Sequence, residues 1–224
     1  MKKNQWKFLA LALASAATTQ TYAYNSYMQT KFGTLSVSES RLLHFNGQLV
    51  APGVMGNSGL SIEQTFDVGS KVLVLTKNVG GSGCPELFNV ITIDKSKATA
   101  SPTFGTCDEA QKVQALNQSL VLELDGKQGY RKYVFADGVL TENGKVLPDG
   151  FSSKPFGSYA VINDPDGYTN LRQGPNGKSP IIGRVDRGDF FRTHPQTGDW
   201  WQVQVRHDLS GYMHKSRIVM VRDF

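Results

Sequence analysis

The stretch that decides the fold runs Asp166-Gly167-Tyr168-Thr169-Asn170-Leu171-Arg172-Gln173-Gly174-Pro175, followed by Ile181-Ile182-Gly183, Gly188-Asp189-Phe190-Phe191, Asp199-Trp200-Trp201-Gln202-Val203 and Gly211-Tyr212-Met213-His214-Lys215-Ser216-Arg217-Ile218. With Ala160-Val161-Ile162 ahead of it, the segment reads as five short strands punctuated by glycine- and aspartate-marked turns. So few residues cannot build a large core. A small barrel is the economical solution, because it buries one face of every strand and leaves little exposed edge. The two-residue period of a strand turns Trp201, Val203 and Val205 inward and Gln202 and Gln204 outward.

Upstream, from Phe32 to about Leu147, the same short alternating runs recur. Thr34-Leu35-Ser36-Val37 alternates, and Leu43 to Val50 does so around a turn at Asn46-Gly47. Leu60 and Ile62, then Phe66 and Val68, mark one strand, and Val72 to Leu75 is a denser apolar run ahead of Gly80-Gly81. Ser119 to Leu124 ends at Asp125-Gly126, and Tyr130 to Phe135 meets Asp137-Gly138 before Val139 and Leu140 begin a return. Turn signals at this spacing predict an all-β domain packed from antiparallel sheets. One stretch, Cys107 to Asn117, is expected to be a short helix, with Asp108 as its cap ahead of Val113 and Leu116. Pro148 to Pro155 (PDGFSSKP) forms a linker or strap. The predicted organisation is therefore all-β throughout. Residues 24–150 form an antiparallel β domain with one disulfide, and residues 156–224 form the barrel.

The disulfide is Cys84 with Cys107, the only two cysteines. Leu87, Val90, Ile91 and Ile93 lie on a strand that turns at Asp94-Lys95-Ser96-Lys97 and runs back through Ala98 to Phe104. Pairing residue 94 with 97 carries the register back to 84 opposite 107, which brings the two Cα atoms to roughly 4.5–5.5 Å, within bonding range. Metal or redox chemistry wants a C-x-x-C spacing or further ligands, and neither is present.

A pair of structural cysteines belongs to an exported protein, and the start of the chain agrees. Lys2, Lys3 and Lys7 precede an apolar run from Phe8 to Ala17, and polar residues then lead to Thr21 and Ala23. This is the layout of a secretory leader, residues 1–23, cleaved after Ala23, and the run is too short to span a bilayer. The expected destination is the periplasm or the medium, with no membrane span once the leader is gone. Three lysines leave with the leader, so 21 basic residues face 19 acidic ones in the mature chain. That balance gives no electrostatic footprint for nucleic acid.

The order N-L-R-x-G-P, I-G, G-D, W-W-x-V and G-Y-M-H-K-S-R-I, read across Asn170 to Ile218, is similar to bacterial SH3-like (SH3b) domains. One feature departs from them: the polar stretch Arg206 to Ser210 is longer than the tight turn expected before Gly211. The resemblance implies a binding module of exported proteins that attaches to cell-wall peptide or to an envelope protein. The residues supply the means. Tyr168, Trp200 and Tyr212 offer flat amphipathic rings, and Arg172, His214 and Lys215 offer donors, a set suited to a peptide ligand.

No catalytic residue, metal site or cofactor is expected. The histidines at 44, 194, 207 and 214 are scattered, and no H-E-x-x-H, Gly-x-Ser-x-Gly or phosphate-cradling glycine loop occurs. The sequence supports a non-catalytic binding protein of the cell wall. An inhibitor or immunity-type protein directed at an exported toxin or wall-degrading enzyme shares the same features. A peptidoglycan hydrolase with its site in the N-terminal domain is the third reading.

Overall fold

The computed structural model describes residues 24–80, 83–84 and 86–222. The leader and its cleavage point lie outside the described residues. The expected all-β character is observed: strands follow one another throughout, and the only helical turn among the described residues is a 3-10 turn at Lys215–Arg217.

Three antiparallel meanders build the N-terminal part. The first comprises β1 (Tyr27–Thr30), β2 (Gly33–Val37), β3 (Leu43–Phe45) and β4 (Gln48–Leu49), after which the short β5 (Gly53–Val54) departs. The second comprises β6 (Gly59–Val68), β7 (Lys71–Val79), β8 (Leu87–Asp94) and β9 (Lys97–Ala100). The third comprises β10 (Ala110–Leu116), β11 (Ser119–Gly126), β12 (Gly129–Ala136), β13 (Val139–Glu142) and β14 (Lys145–Val146). Asn46-Gly47, Asp137-Gly138 and Asn143-Gly144 close hairpins with positive φ at both residues, the backbone twist that two-residue turns need.

These sheets stack in three layers. Leu35, Leu43 and Phe45 of the first pack against Val72, Val74, Ile91 and Ile93 of the second. The opposite face of the second sheet, with Leu73, Leu75, Phe88 and Val90, packs against Leu120, Leu122, Leu124, Tyr133 and Phe135 of the third. A middle layer buried on both sides accounts for the unbroken apolar run at Val72 to Leu75, since neither parity of side chain reaches water. The third layer also corrects the expected helix. Ala110–Leu116 is a strand paired along β11, from Ala110 opposite Leu124 to Leu116 opposite Ser119. Val113 and Ala115 alternate onto the core between the second and third sheets, and no helical face is needed there. Asp108 does not cap a helix. It accepts from the Thr106 hydroxyl at 2.8 Å and from the Lys127 N–H at 3.3 Å.

Cys84 and Cys107 are bonded, with Cα atoms 4.6 Å apart. The register that predicted this is observed from Asp94↔Lys97 to Ile91↔Ala100. Beyond Pro102 it slips by one residue, so that Phe88 bridges Phe104.

The C-terminal module has seven strands where five were read: β15 (Ser158–Ile162), β16 (Tyr168–Arg172), β17 (Ile181–Asp186), β18 (Phe191–Thr193), β19 (Trp200–Arg206), β20 (Leu209–His214) and β21 (Ile218–Arg222). The sheet order is β17-β16-β20-β19-β18-β15-β21-β5. Its core is Ala160, Ile162, Leu171, Val185, Phe191, Val203 and Met213. The extra length of Arg206 to Ser210 does not make a longer loop. Arg206 pairs with Leu209 across a turn of two residues, and a register shift at Val205 absorbs the odd residue. Trp201 points inward by parity yet stays half-buried, while Val203 is sealed.

The two parts are joined by more than the linker. β5 of the N-terminal part pairs in parallel with β21, Gly53 opposite Val221 and Val54 opposite Arg222. Beside it, Leu42, Val161 and Val221 form a separate apolar cluster that includes residues of both parts. The strap is ordered: the buried Arg222 donates to the Asp149 carboxylate at 2.8 Å and stacks over Phe151, 4.3 Å from the ring centre.

Candidate functional site

The outer face of β16, β20 and β19 carries the site. On β16 the buried Thr169 and Leu171 alternate with Tyr168, Asn170 and Arg172, which point outward. On β20, Gly211 and Met213 are buried and Tyr212 and His214 face out. Arg172 pairs with Tyr212, Tyr212 with Gln202, and His214 with Trp200. Carrying the β16–β20 register on by two residues sets Asn170 beside His214. The order along the face is thus Tyr168, then Asn170 with His214 and Trp200, then Arg172 with Tyr212.

A cleft of about 270 Å³ opens on this face, bounded by Asp164, Asp166, Tyr168, Arg172, Trp200 and His214 among others. Trp200 meets the His214 ring edge-on, 5.5 Å between centres. His214 is held by Ser216, whose hydroxyl lies 2.8 Å from Nδ1, so the 3-10 turn that follows β20 fixes the imidazole. The Arg184 guanidinium covers one side of Tyr168 at 4.4 Å and is ion-paired with Asp186. Arg172 donates one N–H to the Ser179 carbonyl at 2.8 Å and so pins the loop that follows β16.

Of the six residues expected to bind, four bound the cleft: Tyr168, Arg172, Trp200 and His214. Tyr212 neighbours them on the sheet without bounding it. Lys215 stands apart, since it forms an ion pair with Asp199 at 2.8 Å and its N–H caps the Asp199 carbonyl. That partner, by hydrogen bond and by charge, holds the Asp199 carboxyl below the usual carboxylate range.

Residues 167–219 match the family described as bacterial SH3 domain. The C-terminal module is a bacterial SH3 domain. No curated protein and no solved structure matches the chain. In this SH3 domain the frame of the cleft is Asp164, which the sequence reading passed over. It is buried, and its carboxylate accepts from the Asp166 N–H at 3.1 Å, the Thr169 hydroxyl at 3.0 Å and the Arg217 guanidinium at 3.0 Å. The Arg217 bond ties the turn before β16 to the turn before β21, and Arg187, which donates to the Asp164 carbonyl at 2.7 Å, ties it to the turn after β17. The signal was available as Asp164-Pro165-Asp166-Gly167, a pattern in which aspartate caps its own turn. Its long-range partner Arg217, 53 residues on, was not.

Among the described residues no group of three or more His, Cys, Asp and Glu side chains is placed to hold a metal ion. None of their helices is long and apolar enough to cross a membrane.

Proposed function

We propose that the protein is a non-catalytic exported binding protein whose SH3 domain engages cell-wall peptide or a wall-associated protein partner at the Tyr168–Trp200 cleft, in the periplasm or outside the cell. Bacterial SH3 domains commonly mediate binding of this kind. The observation that carries the reading is the gathering of Tyr168, Trp200 and His214 with Arg172 around one cleft on an otherwise polar sheet face. Half-exposed rings on a rigid strand offer contact area at little rotamer cost, and a pinned arginine fork offers oriented donors.

The test is co-sedimentation of the mature protein with purified peptidoglycan, comparing wild type with Trp200→Ala and Tyr168→Ala. The expected result is loss of binding in both variants with the fold retained. Undiminished sedimentation of a folded Trp200→Ala protein would place the contact elsewhere. Lowered rates of wall-degrading enzymes on adding the protein would instead favour the inhibitor reading, and clearing of peptidoglycan in a zymogram would favour the hydrolase.

A further inference from the structure

We infer that the cleft selects short zwitterionic peptides and fixes their direction, with the ligand's free amine at Asp166 and its free carboxylate at Arg172. This rests on the reading that the cleft is the binding site. The inference comes from pairing off the charges around it. Arg217 is neutralised by Asp164 at 3.0 Å, Arg184 by Asp186, and Lys215 by Asp199 at 2.8 Å. Arg187 turns its guanidinium onto the carbonyls of Asp164 and Pro165 and bounds a different cleft, beside Leu42 and Leu49.

Two charges remain. The Asp166 carboxylate is exposed and has no ion-pair partner among the described residues; only its backbone N–H is used, by Asp164. Arg172 is half-buried and has no carboxylate within ion-pair distance among the described residues; its guanidinium donates to the Ser179 carbonyl. They have opposite sign, both bound the cleft, and stand six residues apart along the chain. Between them lie Tyr168, Asn170, His214 and Trp200, in the order the register dictates.

The spacing sets the ligand's length. Asp166 to Arg172 spans six residue steps, at most about 20 Å at ~3.3 Å per residue, of which Tyr168 to Arg172, about 13 Å, is regular strand. An extended peptide of four to six residues covers that range, with its backbone amides over Asn170 and its middle side chains against Trp200 and His214. An arginine without a counter-charge in a half-buried setting favours an anion strongly. Asp166 is more exposed and its pull on an amine is weaker.

The experiment uses tetra-alanine in four forms: free, N-acetylated, C-amidated and capped at both ends. Each is titrated into the mature protein and followed by amide chemical shifts of residues 166–172 and 212–216. The free peptide is expected to bind tightest, with the C-terminal cap weakening binding by about fivefold and the N-terminal cap by about twofold, the scale of partly exposed charge pairs. Asp166→Asn should abolish the penalty for N-acetylation and leave that for C-amidation, and Arg172→Gln should do the reverse. Asp166 is a surface residue whose side chain makes no hydrogen bond or ion pair among the described residues, so that variant folds whatever Arg172→Gln does to its loop. Equal binding of all four forms at the cleft would overturn the inference and leave the binding site standing. Binding of none of them at the cleft would overturn it as well. If Trp200→Ala then still co-sediments with peptidoglycan, the cleft fails as the site too.

Discussion

At the scale of single residues, burial separates the two adjacent tryptophans from the side chains that hold the barrel. Trp200 is half-buried on the outer face, whereas Met213, opposite Trp201, is 1 % exposed inside the core. Trp200→Ala is therefore expected to shift the melting temperature by only a few degrees. Met213→Ala should cost about 2–5 kcal/mol, through lost burial and the cavity left behind. Chemical denaturation of the two variants checks the contrast. Asp164→Ala removes the acceptor of three donors at once and strands the Arg217 charge; a loss of roughly 3 kcal/mol is expected, with Asp164→Asn recovering part of it. A fourth residue reports on pH. Burial, then the neighbouring Glu142, pushes the Tyr133 phenol up to about 12. Its folded value lies above its unfolded value of about 10, so the unfolded state releases the proton first. The stability contributed is whole below pH 10 and is lost as pH rises towards 12. Tyr133→Phe should flatten that alkaline limb in a series of melts.

At the scale of elements, β6 shows how one residue redirects a strand. Leu60 and Ile62 face the core between the first and second sheets, yet Phe66 and Val68, of the same parity, face the core between the second and third. A register shift between Ile62 and Gln64 makes the exchange possible, with Glu63 as the extra residue. A bulge of this kind flips every side chain beyond it. Deleting Glu63 should close the bulge and keep both pairs in their layers, because Ile62 opposite Thr76 and Gln64 opposite Leu75 then form an unbroken ladder. The expected outcome is retained cooperative unfolding and an unchanged near-ultraviolet circular dichroism spectrum. The disulfide acts on the next element pair. Replacing Cys84 and Cys107 by serine releases a loop of about 24 residues and is expected to cost on the order of 3 kcal/mol. Titration of the native protein should find no free thiol.

At the scale of the whole molecule, the SH3 domain does not hang from a linker. β5 extends its sheet along β21, and the Asp149–Arg222 pair holds the strap against the same strand. Both attachments are made by β21, to β5 of the N-terminal part and to the strap at Asp149. Wild type should melt in one transition. Asp149→Ala leaves a buried guanidinium without its carboxylate, and about 1–3 kcal/mol should be lost, less than for a fully buried pair because Asp149 itself is well exposed. Two separate transitions by calorimetry in that variant, one for each part, would show that this clasp couples them.

The sequence by itself determined what depends on neighbours along the chain. Alternation at Thr34 to Val37, the turns at Asn46-Gly47 and Asp137-Gly138, the register from Asp94 and Lys97 to Ile91 and Ala100, and the order of motifs from Asn170 to Ile218 are all local patterns, and each was legible. Ala110 to Leu116 was misread because two apolar residues in a polar run fit either a helix or a half-buried strand, and only pairing with β11 chose between them. The face shared by Tyr168, Trp200 and His214 followed from strand parity, whereas the attachment of Lys215 to Asp199 belongs to a turn closed in three dimensions. The stacking of the sheets, the link from Asp164 to Arg217 and the pairing of β5 with β21 were decided by the tertiary structure alone. Each joins residues dozens of positions apart, and the free energy that selects such a contact is the burial of apolar area and the satisfaction of buried charge, neither of which leaves a period in the sequence.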